Sequence, residues 1–235
     1  MPTDPSRMLR RIAVPGIAGL AMLFTLTIGT SAEQRKHPDI GGMWEHAHDS
    51  VVNRQPLPWT EEGQRLWKDD LARNWPNGVS KENTFCLPAG MPFMMAGSEG
   101  FDIAENSREI LIVNEERPSP RHIYTDGRKH PDMEIFDRTT VGHSIGHWEG
   151  DELVVDTVGF LPGGTVMFVR SEQTHLVERY KLEDNGRNLR IKFTWTDPKI
   201  LAKPYVQEYL MTRAPADRTA QEYYCDPRDP ARAVP

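Results

Sequence analysis

Cysteine is scarce: the 235 residues carry only two, Cys86 and Cys225. They stand 139 positions apart with no CxxC pair, which excludes a cysteine-built zinc site and a dithiol redox motif. Also missing are a Walker loop, GxGxxG, HExxH and an EF-hand loop. The sequence signatures of phosphate-loop and dinucleotide enzymes, zincins and EF-hand calcium sites are therefore absent. No Lys/Arg tract offsets the formal charge of −6, which argues against nucleic acid and anionic membrane surfaces as partners. Beyond residue 32 no apolar run approaches the ~20 residues of a membrane helix.

The N-terminus does hold an apolar run. Arg7, Arg10 and Arg11 precede it, it extends from Ile12 to about Ile28, and Thr30-Ser31-Ala32 ends it with small residues. That order predicts a secretory signal peptide over 1–32, with Thr at −3 and Ala at −1; a retained anchor is the alternative. Cleavage leaves one domain, 33–235, with a net charge of −8. The expected location is periplasmic or secreted, with no membrane contact once the signal is removed. Such a compartment permits disulfides, and one bridge, Cys86–Cys225, is expected to tie the C-terminal tail back to the segment before the sheet.

Along the mature chain, Thr60 with Glu61 and Glu62 predicts a helix to about Trp75, ended by Pro76-Asn77-Gly78. The stretch 80–108, rich in Gly, Pro and Met, reads as a long irregular loop, packed or acting as a lid. Strands are expected at about 109–116, 121–126, 134–139, 142–148, 152–159, 165–170, 175–183, 188–197 and 204–212. Their spacing predicts a mostly β fold, an antiparallel β-barrel with one N-terminal helix, or alternatively a β-sandwich.

Two hairpins can be read residue by residue. Asn185-Gly186 favours a type I′ turn and sets Leu182 opposite Leu189, Tyr180 opposite Ile191, Glu178 opposite Phe193 and Leu176 opposite Trp195. Glu178 then lies among apolar residues. There it is either a structural ion pair with an inward arginine such as Arg121, or a general acid/base with a raised pKa. Gly150-Asp151 turns the second hairpin, which puts His143, His147 and Asp156 on one face, with Asp156 diagonal to both histidines. Ser144 falls on the opposite face, which rules out a serine nucleophile served by those histidines. In the patch 121–131, Tyr124 and Asp126 share a face with His122.

Cys86-x-Pro88-x-Gly90-Met91-Pro92, Arg121-x-Ile123-Tyr124-x-Asp126-Gly127-Arg128-x-His130-Pro131, the block from Gly142 to Thr157 and Glu178-Arg179-Tyr180 together resemble a family of exported bacterial proteins of uncharacterised function. Its members occur in environmental proteobacteria and acidobacteria. The opening Gly41-Gly42-Met43-Trp44 is similar to calycin barrels. The resemblance implies one secreted β domain and carries no catalytic residues. The residues themselves suggest a cofactor-independent enzyme that does acid/base chemistry (dehydration, isomerisation or hydrolysis) on a small hydrophobic molecule in a barrel cavity. Its candidate catalytic residues are Glu178, His143, His147, Asp156, Tyr124 and Asp126. A divalent metal on His143, His147 and Asp156 is a variant, and a periplasmic carrier or sensor for an apolar ligand is the alternative. The chain leaves its oligomeric state open.

Overall fold

The computed structural model describes residues 37–53, 55–75, 86–88, 90–97, 100–115, 120–164, 169–221 and 226. Its contacts divide the chain after Gln34; the expected signal peptide lies outside the described residues.

Thr60 caps helix α1, Glu61–Asn74, by accepting from the Gly63 N–H at 2.9 Å. Glu61 and Glu62 in the first turn complement the positive end of the helix dipole. A second, four-residue helix α2, Phe93–Ala96, sits within the stretch expected to be irregular. Met91, Met94 and Met95 around it are at most 2 % exposed, so this part of the loop is packed into the core.

The strands are β1 (Gly42–Val51), β2 (Phe101–Glu105), β3 (Glu109–Asn114), β4 (Arg121–Tyr124), β5 (His143–Glu149), β6 (Glu152–Val158), β7 (Gly163–Gly164), β8 (Val169–Arg170), β9 (His175–Glu183), β10 (Asn188–Thr196) and β11 (Tyr205–Arg213). Nine of them close a barrel in the order β1-β11-β10-β9-β6-β5-β4-β3-β2, while β7 and β8 pair separately. The mostly β barrel is as expected; its strands are mixed rather than wholly antiparallel. β4 and β5 run parallel. Parity demands this: directions that alternate around a ring of nine must repeat at one seam. Residues 125–142 make the crossover that a parallel pair needs.

Within that crossover the strand expected at 134–139 is replaced by turns. Pro131-Asp132 starts them: the Asp132 carboxylate accepts from the Glu134 N–H at 2.9 Å and its carbonyl from the Phe136 N–H at 3.0 Å. Ile135 is left 82 % exposed. In the other direction, Phe101–Glu105 is a strand where none was expected. Its inward Phe101 and Ile103 alternate, but the glycines, prolines and methionines before it obscured the pattern.

Both hairpins keep the expected register, Leu182↔Leu189 to Leu176↔Trp195 in one and Glu149↔Glu152 to His143↔Val158 in the other. The first turn is wider than a two-residue type I′ loop. Asp184, Asn185 and Gly186 all take positive φ (51°, 56° and 83°), and Glu183↔Asn188 is the last pair. The register survives because the loop gains one residue from each strand.

The seam between the first and last barrel strands is closed by Arg213. Its guanidinium lies 4.3 Å from the centre of the buried Trp44 ring and donates to the carbonyls of Gly41 and Asp39. The tail then folds back along the barrel, with Arg218 bridging Glu45 and Glu115 at 2.9 and 2.8 Å. Cys225 lies outside the described residues, and so does the expected bridge from Cys86 to it. On the other side, buried Asp70 of α1 accepts from the Gly164 N–H at 3.0 Å. A Cβ at Gly164 would come within 1.6 Å of that carboxylate, so only glycine permits this approach of helix to β7.

Candidate active site on the outer barrel wall

Strands β5, β6 and β9 present two polar clusters, one on each face. Alternation separates them completely, as it separates Ser144 from His143.

The inner cluster centres on Arg121, which points inward from β4 and is 0 % exposed. One guanidinium nitrogen donates to Glu178 Oε1 at 2.9 Å and the other binds Glu178 Oε2, forming a forked ion pair. Ser144 and Thr157 hydroxyls each accept from Arg121 at 3.0 Å, and Tyr180 donates to Glu178 at 2.8 Å. Burial opposes the Arg121 charge, yet the adjoining Glu178 carboxylate more than offsets it and raises the guanidinium pKa. Burial and the same carboxylate push the Tyr180 phenol well above its ordinary value. The general acid/base reading of Glu178 needed a carboxylate that no cation neutralises; the ion pair with Arg121 corrects it. The surrounding Trp44, Phe101, Ile110, Phe193 and Trp195 are all 0 % exposed. Walls of a ligand cavity keep accessible surface, so at these positions the barrel is filled by its own side chains.

The outer cluster is a chain of four titratable side chains. Asp156 of β6 receives His130 Nε2 on one carboxylate oxygen and His175 Nε2 on the other, each at 2.8 Å. His130, delivered by the crossover, turns its Nδ1 to Nδ1 of His143 at 2.8 Å. An ionised carboxylate only accepts, so both imidazoles facing it present N–H. Neutral His130 then accepts at Nδ1, His143 donates from its own Nδ1, and His143 Nε2 is left as the basic nitrogen. The His143 ring is packed between Tyr124 at 5.3 Å and the edge of Phe136 at 5.7 Å. Burial, with the neighbouring His130 and Arg128, lowers its pKa, which keeps it neutral and ready to accept a proton. The hydrogen bond from His175 holds Asp156 below the usual carboxylate range, and the same bond raises His175.

Two expected members stand apart. His147 is largely exposed, and its Nε2 meets Glu149 at 3.1 Å rather than Asp156. Asp126 grips Arg128 at 2.8 and 2.6 Å, and that pairing lowers its pKa to about 2. Consequently His143, His147 and Asp156 do not converge on a metal position, and among the described residues no group of three or more His, Cys, Asp or Glu has an arrangement suited to a metal. His143 reaches Asp156 only through His130, although a direct contact was expected.

His130 and His175 are the residues that the sequence reading missed. His175 had a signal. Asp156 pairs with Val177, which puts His175 diagonal to it on the same face. That pairing joins β6 to β9 across intervening residues, and no hairpin turn announces it. His130 had none, because its position depends on the path of the crossover. No family model and no curated protein matches the chain.

Proposed function

We propose that this is an exported enzyme in which His143 acts as a general base, without an organic cofactor, in acid/base chemistry on a small molecule held against the outer barrel wall. The observation that carries the reading is the relay His143–His130–Asp156, with two successive contacts of 2.8 Å. When His143 takes a proton at Nε2, its Nδ1–H bond to His130 strengthens, and the charge is stabilised through His130 by the Asp156 carboxylate. An oriented base backed by a carboxylate is the arrangement of general-base histidines. Tyr124 and Phe136 fix the ring plane by packing on it.

A generic probe tests this before the natural substrate is identified. Hydrolysis of p-nitrophenyl acetate by the wild-type chain should exceed that by equimolar imidazole. His143→Gln should reduce it by about 10²–10⁴-fold, the usual contribution of a positioned base. Equal rates in the two proteins, with the variant still folded, would refute the assignment.

We infer further that the mature chain begins near Glu33 and carries a Cys86–Cys225 bridge. Mass analysis of periplasmic protein without reductant should give the mass of 33–235 less two hydrogens. A full-length mass, or two alkylatable thiols, would overturn one or the other.

A further inference from the structure

Beside the relay lies a depression of about 560 Å³ lined by Asn106, Ser107, Arg108, Glu109, Tyr124 and Arg128. That volume is within the range of small-molecule sites. Tyr124 is common to both places: it lines the depression, and its ring packs on His143 at 5.3 Å. The turn between β2 and β3 supplies one wall. Asn106 Oδ1 accepts from the backbone N–H groups of Arg108 and Glu109 at 2.8 and 3.1 Å, which fixes the turn; among the described residues the Asn106 amide hydrogens have no acceptor. Arg128 supplies the opposite wall, its guanidinium 3.8 Å from the Tyr124 ring centre.

Charge pairing decides what such a depression accepts. Arg128 is matched by Asp126 at 2.6 Å, and Glu109 is engaged by His122 at 2.9 Å. Among the described residues the Arg108 side chain has neither a hydrogen-bond nor an ion-pair partner, and the Asp126 carboxylate acts on it only at longer range; its guanidinium fork therefore stays open, with the Asn106 amide and the Ser107 hydroxyl as neighbouring donors. An open guanidinium fork flanked by neutral donors suits the two coplanar oxygens of a carboxylate.

We propose that this depression binds the carboxylate of a small organic acid, with Arg108 as its anchor, and that the substrate of the His143 relay belongs to that class. The substrate assignment rests on the reading of His143 as the base; the binding site does not. Sodium benzoate is the probe, titrated into the full mature chain and followed by amide NMR. Saturable shifts are expected at 106–109 and 124–128. Arg108→Gln should weaken benzoate at least tenfold, and neutral benzamide should bind wild type at least tenfold more weakly. Arg138→Gln, whose guanidinium instead donates to the carbonyls of Glu172 and Met133, should leave affinity unchanged. Equal benzoate affinity in Arg108→Gln, equal binding of benzamide, or tighter binding of inorganic phosphate would each overturn the proposal. His143→Gln keeps the two ideas apart: benzoate binding should persist in it, whatever becomes of ester hydrolysis.

Discussion

Glu178→Gln is expected to lower the melting temperature by roughly 6–20 °C. The substitution keeps the shape of the side chain but removes the charge that neutralises Arg121, which is 0 % exposed. Breaking a buried ion pair from one side costs about 3–5 kcal/mol, because the surviving charge can neither reach water nor find another partner. For a domain of this size each kcal/mol moves the midpoint by about 2–4 °C. Ser144, Thr157 and Tyr180 soften the loss but carry no compensating charge. Removing both charges with Arg121→Met and Glu178→Leu should recover much of the difference, since apolar residues of similar volume replace a buried pair at little net cost. Thermal unfolding of the three proteins checks this. An unchanged midpoint in Glu178→Gln would mean that the forked pair is not what keeps Arg121 inside the barrel.

Asp156→Asn should reduce turnover of the ester probe by about 10²–10⁴-fold and change the shape of the pH response. The amide can accept on one side only, so either His130 or His175 loses its acceptor and the tautomers are no longer imposed. Stability gives a second reading with a definite sign. The lowered pKa of Asp156 contributes stability above the ordinary carboxylate range, and this is lost as pH falls through the folded value. The raised pKa of His175 contributes below about 6.5, the ordinary histidine value, and is lost as pH rises through the folded value. The pair is therefore most stabilising between the two, in mildly acidic solution. The gap in melting temperature between wild type and Asp156→Asn should be wider near pH 5.5 than near pH 8.5. His143 acts in the opposite sense, losing stability as pH falls below the ordinary histidine value, chiefly through its burial, which both proteins share. A gap that is the same at both pH values would show that Asp156 and His175 are not charge-coupled.

The parts of this molecule that were legible in the sequence are those governed by local rules. Thr60 announced its helix, and Asn185-Gly186 and Gly150-Asp151 announced two hairpins whose every pair could be written down. Inward placement of Glu178, and Arg121 as its potential partner, followed from strand alternation. What was not legible depended on distant pairings. The Asp156–His175 contact exists because β6 lies beside β9, and the His130–His143 contact because residues 125–142 loop back across the outer wall. The expected contact of His147 with Asp156 failed for a related reason. The pair geometry was right, but His130 and His175 already occupy both carboxylate oxygens, and His147 turns to Glu149 instead.

The parallel seam has a mechanical consequence. β4 and β5 are joined over only two register pairs, Ile123↔Ser144 and Tyr124↔Ile145, whereas β9 and β10 share nine. Backbone pairing alone makes this the softest line in the wall, where a barrel under thermal agitation parts first. Arg121 works there as a rivet: rooted in β4, it is fastened to Ser144 of β5, Thr157 of β6 and Glu178 of β9. The imidazole chain lies across the outside of the same line, tying the crossover at His130 to β5 and β6. Loosening the rivet inside would thus slacken the alignment of His130 and His143 outside, so that the two clusters, separated by the thickness of one sheet, share a single hinge.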